Sequence, residues 1–162
     1  MKQTSCAIPP EARAGSVHPD AERNTDVMFS SKTDEWSTPQ KFFDGLNAEF
    51  RFDLDPCASA ENFKCKNYFT KEEDGLNQDW GGHSVFCNPP YGRQIPKWVE
   101  KGFNESKKPK TTVVMLLPAR TDTSWFHDYC YGKAEIRFVR GRLRFGGCAY
   151  NAPFPSMVVV FR

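Results

Sequence analysis

No stretch of this sequence approaches the roughly 18 consecutive apolar residues that a membrane-spanning helix requires, so insertion by a helix is excluded. The N-terminal MKQTSCAIPPEARAGS lacks the apolar centre of a secretory signal. The chain is therefore expected to stay in a reducing cytoplasm. Its cysteines Cys6, Cys57, Cys65, Cys87, Cys130 and Cys148 form no Cys-x-x-Cys pair. Its three histidines, His18, His83 and His127, stand in no zinc-like spacing with them. Neither a disulfide framework nor a structural metal is expected. Internal repeats and low-complexity tracts are also missing. What remains is an ordinary globular composition: 162 residues, 39% hydrophobic, 14% aromatic. That supports one domain with a core and leaves aromatics for a binding face. The net charge of +2 hides an asymmetry. The first 92 residues hold 9 Lys and Arg against 15 Asp and Glu; the remaining 70 hold 13 against 5. A basic second half suits a polyanionic partner, or is simply a solvated surface.

Residues 1–30 mix Ala, Pro, Ser, Asp and Arg without an apolar period, and are expected to be a loosely ordered leader to a single domain, 31–162. Ser37-Thr38-Pro39 reads as a helix start, with a hydroxyl cap and Pro in the first turn. The helix carries Phe42, Phe43, Leu46 and Phe50 on one side. Phe50 to Asp55 alternates as a short strand stopped by Pro56. Tyr68-Phe69-Thr70 is a second candidate strand and Ser84–Cys87 a third. An amphipathic helix is expected over 95–107, and a buried parallel strand over 111–117. A further helix follows from about Thr123 to Tyr131. Residues 135–140, continued by Arg142–Phe145, and 156–161 read as two strands of an antiparallel hairpin. Helices alternating with strands predict an α/β layered sheet, mostly parallel, ending in that hairpin.

Three segments carry chemistry. In Asn88-Pro89-Pro90-Tyr91-Gly92, a strand delivers Asn88 to the carboxyl edge of the sheet, where open α/β folds bind ligands. The prolines stiffen the corner. The Asn88 amide oxygen and Pro89 carbonyl then form a pair of acceptors suited to an exocyclic amine. Tyr91 offers a ring for stacking on a planar base. The alternative is a strand-ending turn with an aromatic plug. In Asp55-Pro56-Cys57-Ala58, an acid ends a strand and small residues follow, without a glycine run. The acid suits an ammonium or hydroxyl group, or else belongs to an exposed Asp-Pro turn. Asp74-Gly75-Leu76, upstream of Trp80, places an acid that suits an adenine amine or caps a turn.

Together these segments resemble the N6-adenine DNA methyltransferases, in particular the short Dam-like methylases of bacteriophages and prophages, from about Asp34 to Arg162. Asn88, Pro89, Pro90 and Tyr91 look like the family's catalytic motif. Asp55, Pro56, Cys57 and Ala58 resemble its first cofactor motif in the variant without glycines. Asp74, Gly75 and Leu76 look like the segment that meets the cofactor's adenine. Trp36-Ser37-Thr38-Pro39 looks like the element that meets its methionine end, through Trp36, Thr38 and Pro39. The span from Cys57 to Asp74 is too short for a full helix and strand, which leaves Asn62, Asn67 and Tyr68 as candidates for the cofactor ribose.

The resemblance implies a Rossmann-like fold of reduced size that takes S-adenosylmethionine and releases S-adenosylhomocysteine. It implies methyl transfer to N6 of adenine in double-stranded DNA, at a short site such as GATC or with broad specificity. It also implies no metal, and a location in a bacterial host cell. A basic catalyst such as His127 is not needed. Arg93, Arg120, Arg140, Arg142 and Arg144 are expected on DNA, with the 140–154 hairpin reading bases. A methylase of RNA bases or protein glutamine, or an inactive nucleic-acid-binding relative, stays open.

Overall fold

The structure is a computed structural model that describes residues 36–162; the expected leader at 1–30 lies outside the described residues. Six strands form one sheet: β1 (Leu54–Asp55), β2 (Asn67–Tyr68), β3 (Ser84–Cys87), β4 (Thr112–Pro118), β5 (Glu135–Phe138) and β6 (Ser156–Phe161). Their order is β2-β1-β3-β4-β6-β5. The pairs β1–β2, β1–β3 and β3–β4 are parallel. Strand β6 runs antiparallel to both β4 and β5, between them.

Two longer helices, α1 (Gln40–Phe50) and α2 (Ile95–Glu105), cover opposite faces. Register explains the division, because directly paired residues share a face. Phe86 pairs with Val114, and Phe86 meets Phe43 of α1 at 5.1 Å between ring centroids. The next pair, Cys87 and Met115, therefore faces the other way, toward α2. There Gly102 approaches so closely that a Cβ would stand 2.9 Å from the Met115 sulfur. All of β4 from Val113 to Pro118 is buried, as its continuous apolar run requires.

Three local expectations are corrected. Helix α1 continues through Phe50, and Arg51 ends it in the left-handed region at φ 51°, so only Leu54–Asp55 remains as strand. The alternation over 50–55 instead stacks Phe50 on Phe52 at 5.6 Å. No side chain caps α1: Pro39 precedes it, and the Pro39 carbonyl accepts from Phe42 and Phe43. Arg142–Phe145 does not extend β5. It belongs to a loop, 139–155, where Ala152 N donates to the Leu143 carbonyl at 2.7 Å.

Residues 124–130 are helical, with a π-type stretch over Phe126–Cys130. Tyr131 N donates to the Phe126 carbonyl at 2.8 Å, one residue beyond the α-helical spacing.

Parallel strands put their carboxyl ends on one edge. Asp55 ends β1, Asn88 follows β3 and Arg120 lies two residues beyond β4, all at that edge. Because β6 runs the opposite way, Ser156 pairs with Pro118 at the same edge. Phe138 pairs with Met157 there as well. The loop 139–155 thus leaves from and returns to the edge that carries Asn88.

Candidate active site

The structure brings the Asn88 corner, the turn after β1 and the loop 139–155 together on the segment Trp36–Thr38. The Asn88 amide nitrogen donates to the Thr38 hydroxyl at 2.9 Å and also to the Trp36 carbonyl. The Asn62 amide nitrogen donates to the Ser37 hydroxyl at 2.9 Å, so the turn after β1 docks on the same segment. On the other side Gly146 N donates to the Ser37 carbonyl at 2.8 Å, which fastens the loop 139–155. Four rings seal this junction. Trp36 meets Phe145 at 5.3 Å and Phe154 at 5.2 Å, and Tyr91 meets Phe154 at 5.5 Å, all near edge-to-face.

Asn88 itself is half satisfied. Both of its side-chain hydrogen bonds use the amide nitrogen, and its Oδ1 is buried with no hydrogen-bond partner. Among the described residues only Trp98 Nε1 and Ser156 Oγ share that state among side-chain atoms. A buried orphan acceptor costs roughly 1–3 kcal/mol, which a ligand donor would recover.

Tyr91 is only 4% exposed, and its hydroxyl donates to the Leu116 carbonyl at 3.0 Å. Burial pushes this phenol well above its ordinary pKa. The ring therefore ties the Asn-Pro-Pro corner to β4, under Phe145 and Phe154, and is not open to a base.

The two acids are engaged by their own loops. Asp55 accepts from Cys57 N at 3.2 Å and from Lys64 N at 3.0 Å, so it organises the turn 57–64. Burial drives its pKa up to about 6, against the pull of these two donors and the Lys64 charge. The folded value lies above the ordinary 3.8, so the protonated form is favoured on folding. Its contribution to stability is fully present below about pH 4 and is lost as pH rises through 6. Carbon-detected NMR of the Asp55 carboxyl is expected to show a midpoint near 6; a midpoint in the usual carboxylate range contradicts the burial. Asp74 adopts φ 52° and accepts from Leu76 N and from the Asn77 amide, capping a short turn over Gly75–Asn77.

That turn is locked to the first motif. A Cβ on Gly75 would lie 2.0 Å from the Pro56 carbonyl oxygen, so only glycine allows the contact. Trp80 is fully buried, and its Nε1 donates to the Gly75 carbonyl at 2.9 Å. Asp74 and Leu76 also border a surface hollow against Lys97, Glu100, Lys101 and Asn104 of α2. The ribose candidates separate: Asn62 serves Ser37, Asn67 is exposed on β2, and Tyr68 stacks on Phe63 at 4.5 Å.

Arg93, Arg120, Arg140, Arg142 and Arg144 are all exposed. Arg144 Nε donates to the Cys148 carbonyl within the loop. Arg137 is instead committed to Glu49 through two bonds, at 2.6 and 2.7 Å, and to Glu135. His127 is exposed, with Nε2 2.8 Å from the Thr121 carbonyl. No group of three His, Cys, Asp or Glu among the described residues is placed to hold a metal ion. Sequence reasoning missed the service that Thr38 gives to Asn88, because Ser-Thr-Pro before an apolar period reads equally as a helix cap. It also missed Tyr150, an aromatic 54% exposed in the loop 139–155.

Residues 25–158 match the family described as DNA N-6-adenine-methyltransferase (Dam). The DNA N-6-adenine-methyltransferase of Haemophilus phage HP1 (strain HP1c1) is 39% identical over 107 residues, covering 65% of this chain and 61% of that protein. The Escherichia phage T1 protein of the same name is 35% identical over 112 residues, covering 68% of this chain and 46% of its own length. The matched segment thus spans about half to three fifths of these phage relatives. With the family match extending over most of the sequence, this chain belongs to the DNA N-6-adenine-methyltransferase (Dam) family.

Proposed function

We propose that the chain methylates the N6 amine of adenine in double-stranded DNA, with S-adenosylmethionine as methyl donor. The observation that carries the reading is the buried Asn88 Oδ1, an acceptor without a donor at the carboxyl ends of the sheet's parallel strands. The N6 lone pair of adenine is conjugated into the ring and is a poor nucleophile. Asn88 Oδ1 and the neighbouring Pro89 carbonyl accept its two N–H groups, favour pyramidal nitrogen and free the lone pair. The same two oxygens stabilise the positive charge that develops on nitrogen. S-Adenosylmethionine, when bound, would supply a sulfonium-activated methyl group and leave as S-adenosylhomocysteine, and the proton that N6 gives up after transfer would pass to water.

The cofactor fits the motifs at this edge: Trp36 and Pro39, Asp55 to Ala58, and Asp74 to Leu76, tied together by Ser37, Asn62 and Gly75, while the Thr38 hydroxyl is taken up by Asn88. Asp55 and Asp74 act there by shaping their turns, because backbone N–H groups already occupy their carboxylates. The target adenine has to leave the duplex to reach Asn88. Stacking of that base on Tyr91 requires Phe145 and Phe154 to move aside, which engagement of their loop by DNA would drive.

The same loop supplies specificity. It carries the exposed Arg140, Arg142 and Arg144 and springs from the sheet edge that carries Asn88, and two or three side chains on base edges give roughly 1–3 kcal/mol of discrimination each. A short site such as GATC is in range of that number of contacts. Alanine at Arg142 or Arg144 is expected to change the methylated sequence spectrum. Alanine at Lys107, which lies over the Phe103 ring, is expected to weaken binding at most uniformly. Lys108 is no such control, because it pairs with Asp79 and Glu105. Genome-wide N6-methyladenine mapping in a methylation-free host checks this; an unchanged spectrum in both Arg variants moves recognition elsewhere.

The reading as a whole is tested by methyl incorporation from labelled S-adenosylmethionine into DNA, RNA and a protein glutamine substrate in parallel. Label in DNA adenine alone is the expected result. Label in RNA or protein alone overturns it, and binding of DNA without transfer marks an inactive relative.

A further inference from the structure

We infer that Thr38, with the main-chain carbonyl of Trp36, is a positioning residue that sets which end of the Asn88 amide faces the substrate. The inference rests on the proposed role of Asn88. An asparagine amide is nearly symmetric in shape, but one end donates and the other accepts. Only one orientation can receive the N–H groups of an exocyclic amine. The flipped one presents N–H to N–H and repels.

Nothing within Asn88 decides between them. The decision comes from its neighbours. The Trp36 carbonyl can only accept, so the end of the amide facing it must be the NH2 group. The Thr38 hydroxyl takes the second proton of that group at 2.9 Å. Two acceptors on one side leave Oδ1 on the other, which is where it lies buried and unpartnered. Thr38 is itself only 4% exposed, so water does not replace its hydroxyl readily. Pro39 keeps Thr38 out of the helical region, holding the segment extended as it passes Asn88. Ser37, between the two acceptors, is anchored from both sides by Asn62 and Gly146. The arrangement gives Thr38 a task distinct from touching the cofactor, the role its sequence context implied.

The test compares Thr38→Val, which keeps the shape and removes the oxygen, with Thr38→Ser, which keeps the oxygen. Three readouts are taken on the full chain: kcat for methyl transfer to DNA, the dissociation constant for S-adenosylmethionine, and solvent exchange of the Asn88 side-chain amide protons by NMR. In Thr38→Val, kcat is expected to fall about tenfold or more, the size of one positioning hydrogen bond. Cofactor affinity stays within about threefold, and at least one Asn88 amide proton exchanges about tenfold faster. Thr38→Ser restores slow exchange and most of kcat.

Unchanged kcat with unchanged exchange in Thr38→Val overturns the inference. A loss of cofactor affinity that accounts for the loss of rate also overturns it, and makes Thr38 a cofactor contact. Failure of Thr38→Ser to rescue points to packing alone and overturns it too. If Thr38→Val does not fold, the wild type decides: rapid exchange of both Asn88 amide protons is incompatible with the two bonds. If the wild type transfers no methyl group to adenine, the functional reading fails, while the exchange data still judge the positioning.

Discussion

Asn88→Ala is expected to abolish methyl transfer, with a loss of about a hundredfold or more in kcat, the range seen when one preorganised group is removed from a developing charge. In the proposed reaction the residue supplies the side-chain acceptor for the target amine. Nothing nearby replaces it, because the Thr38 hydroxyl and Trp36 carbonyl lie on the opposite side of the amide. A net loss of stability of about 1–2 kcal/mol is expected. The variant loses two hydrogen bonds to the segment 36–38 and leaves the Trp36 carbonyl and the buried Thr38 hydroxyl without that donor, while it relieves one buried acceptor that has no partner in the folded chain. Two lost bonds outweigh one relieved acceptor. Cofactor affinity is expected to stay within about threefold, since no cofactor motif depends on the Asn88 side chain except through 36–38. Calorimetry with S-adenosylmethionine and a filter assay with labelled methyl groups separate the effects. More than a tenth of wild-type turnover in the variant contradicts the assignment.

Gly75→Ala is expected to be strongly destabilising, with the tightest clash of the described glycines. Its Cβ would stand 2.0 Å from the Pro56 carbonyl oxygen and 2.9 Å from the carbonyl carbon, both backbone atoms that cannot rotate away. Either the turn 74–77 or the Asp55–Ala58 corner must shift. Such a shift also disturbs the bond from the buried Trp80 indole to the Gly75 carbonyl. A cost of about 3 kcal/mol or more is expected, in the range of backbone strain and core overpacking combined. S-Adenosylmethionine binding should weaken together with stability, because the residue joins two of the inferred cofactor motifs. Gly45→Ala supplies the contrast. It lies inside α1 with nothing within 4 Å of an added Cβ, and should raise stability by about 0.5–1 kcal/mol. Urea unfolding of both variants checks the pair. Equal behaviour of the two contradicts the close contact at Gly75.

How much of this was legible in the sequence depended on whether the signal was local. Ser84–Cys87 stands as read, and β4 differs from its apolar run by one residue, because buried parallel strands advertise themselves by composition. The Asn88 corner was legible for the same reason: a strand followed by two prolines has few ways to continue. The end of α1 was not. Phe50, Phe52 and Leu54 alternate equally well as a strand or as a helix end followed by a left-handed residue, and Arg51 carries no glycine to announce it. Insertion of β6 between β4 and β5 depends on contacts far apart in the chain, so the pattern of each strand is silent about it. The acids show a different limit. Asp55 and Asp74 were legible as special, yet a carboxylate after a strand looks the same whether it awaits a ligand or holds its own turn. Only the donors at Cys57, Lys64 and Leu76 decide. Thr38 is the reverse case, a residue with a routine explanation whose partner, Asn88, lies 50 positions away.

The proposed activity stands or falls on the acceptor that Asn88 would offer to the N6 amine of adenine in DNA. Its most direct measurement is nucleoside mass spectrometry of DNA from a methylation-free host expressing either the wild-type chain or Asn88→Ala at matched levels. N6-methyladenine is expected in the first DNA, with none above background in the second. Methylated cytosine in place of adenine, or N6-methyladenine at equal levels in both, contradicts it.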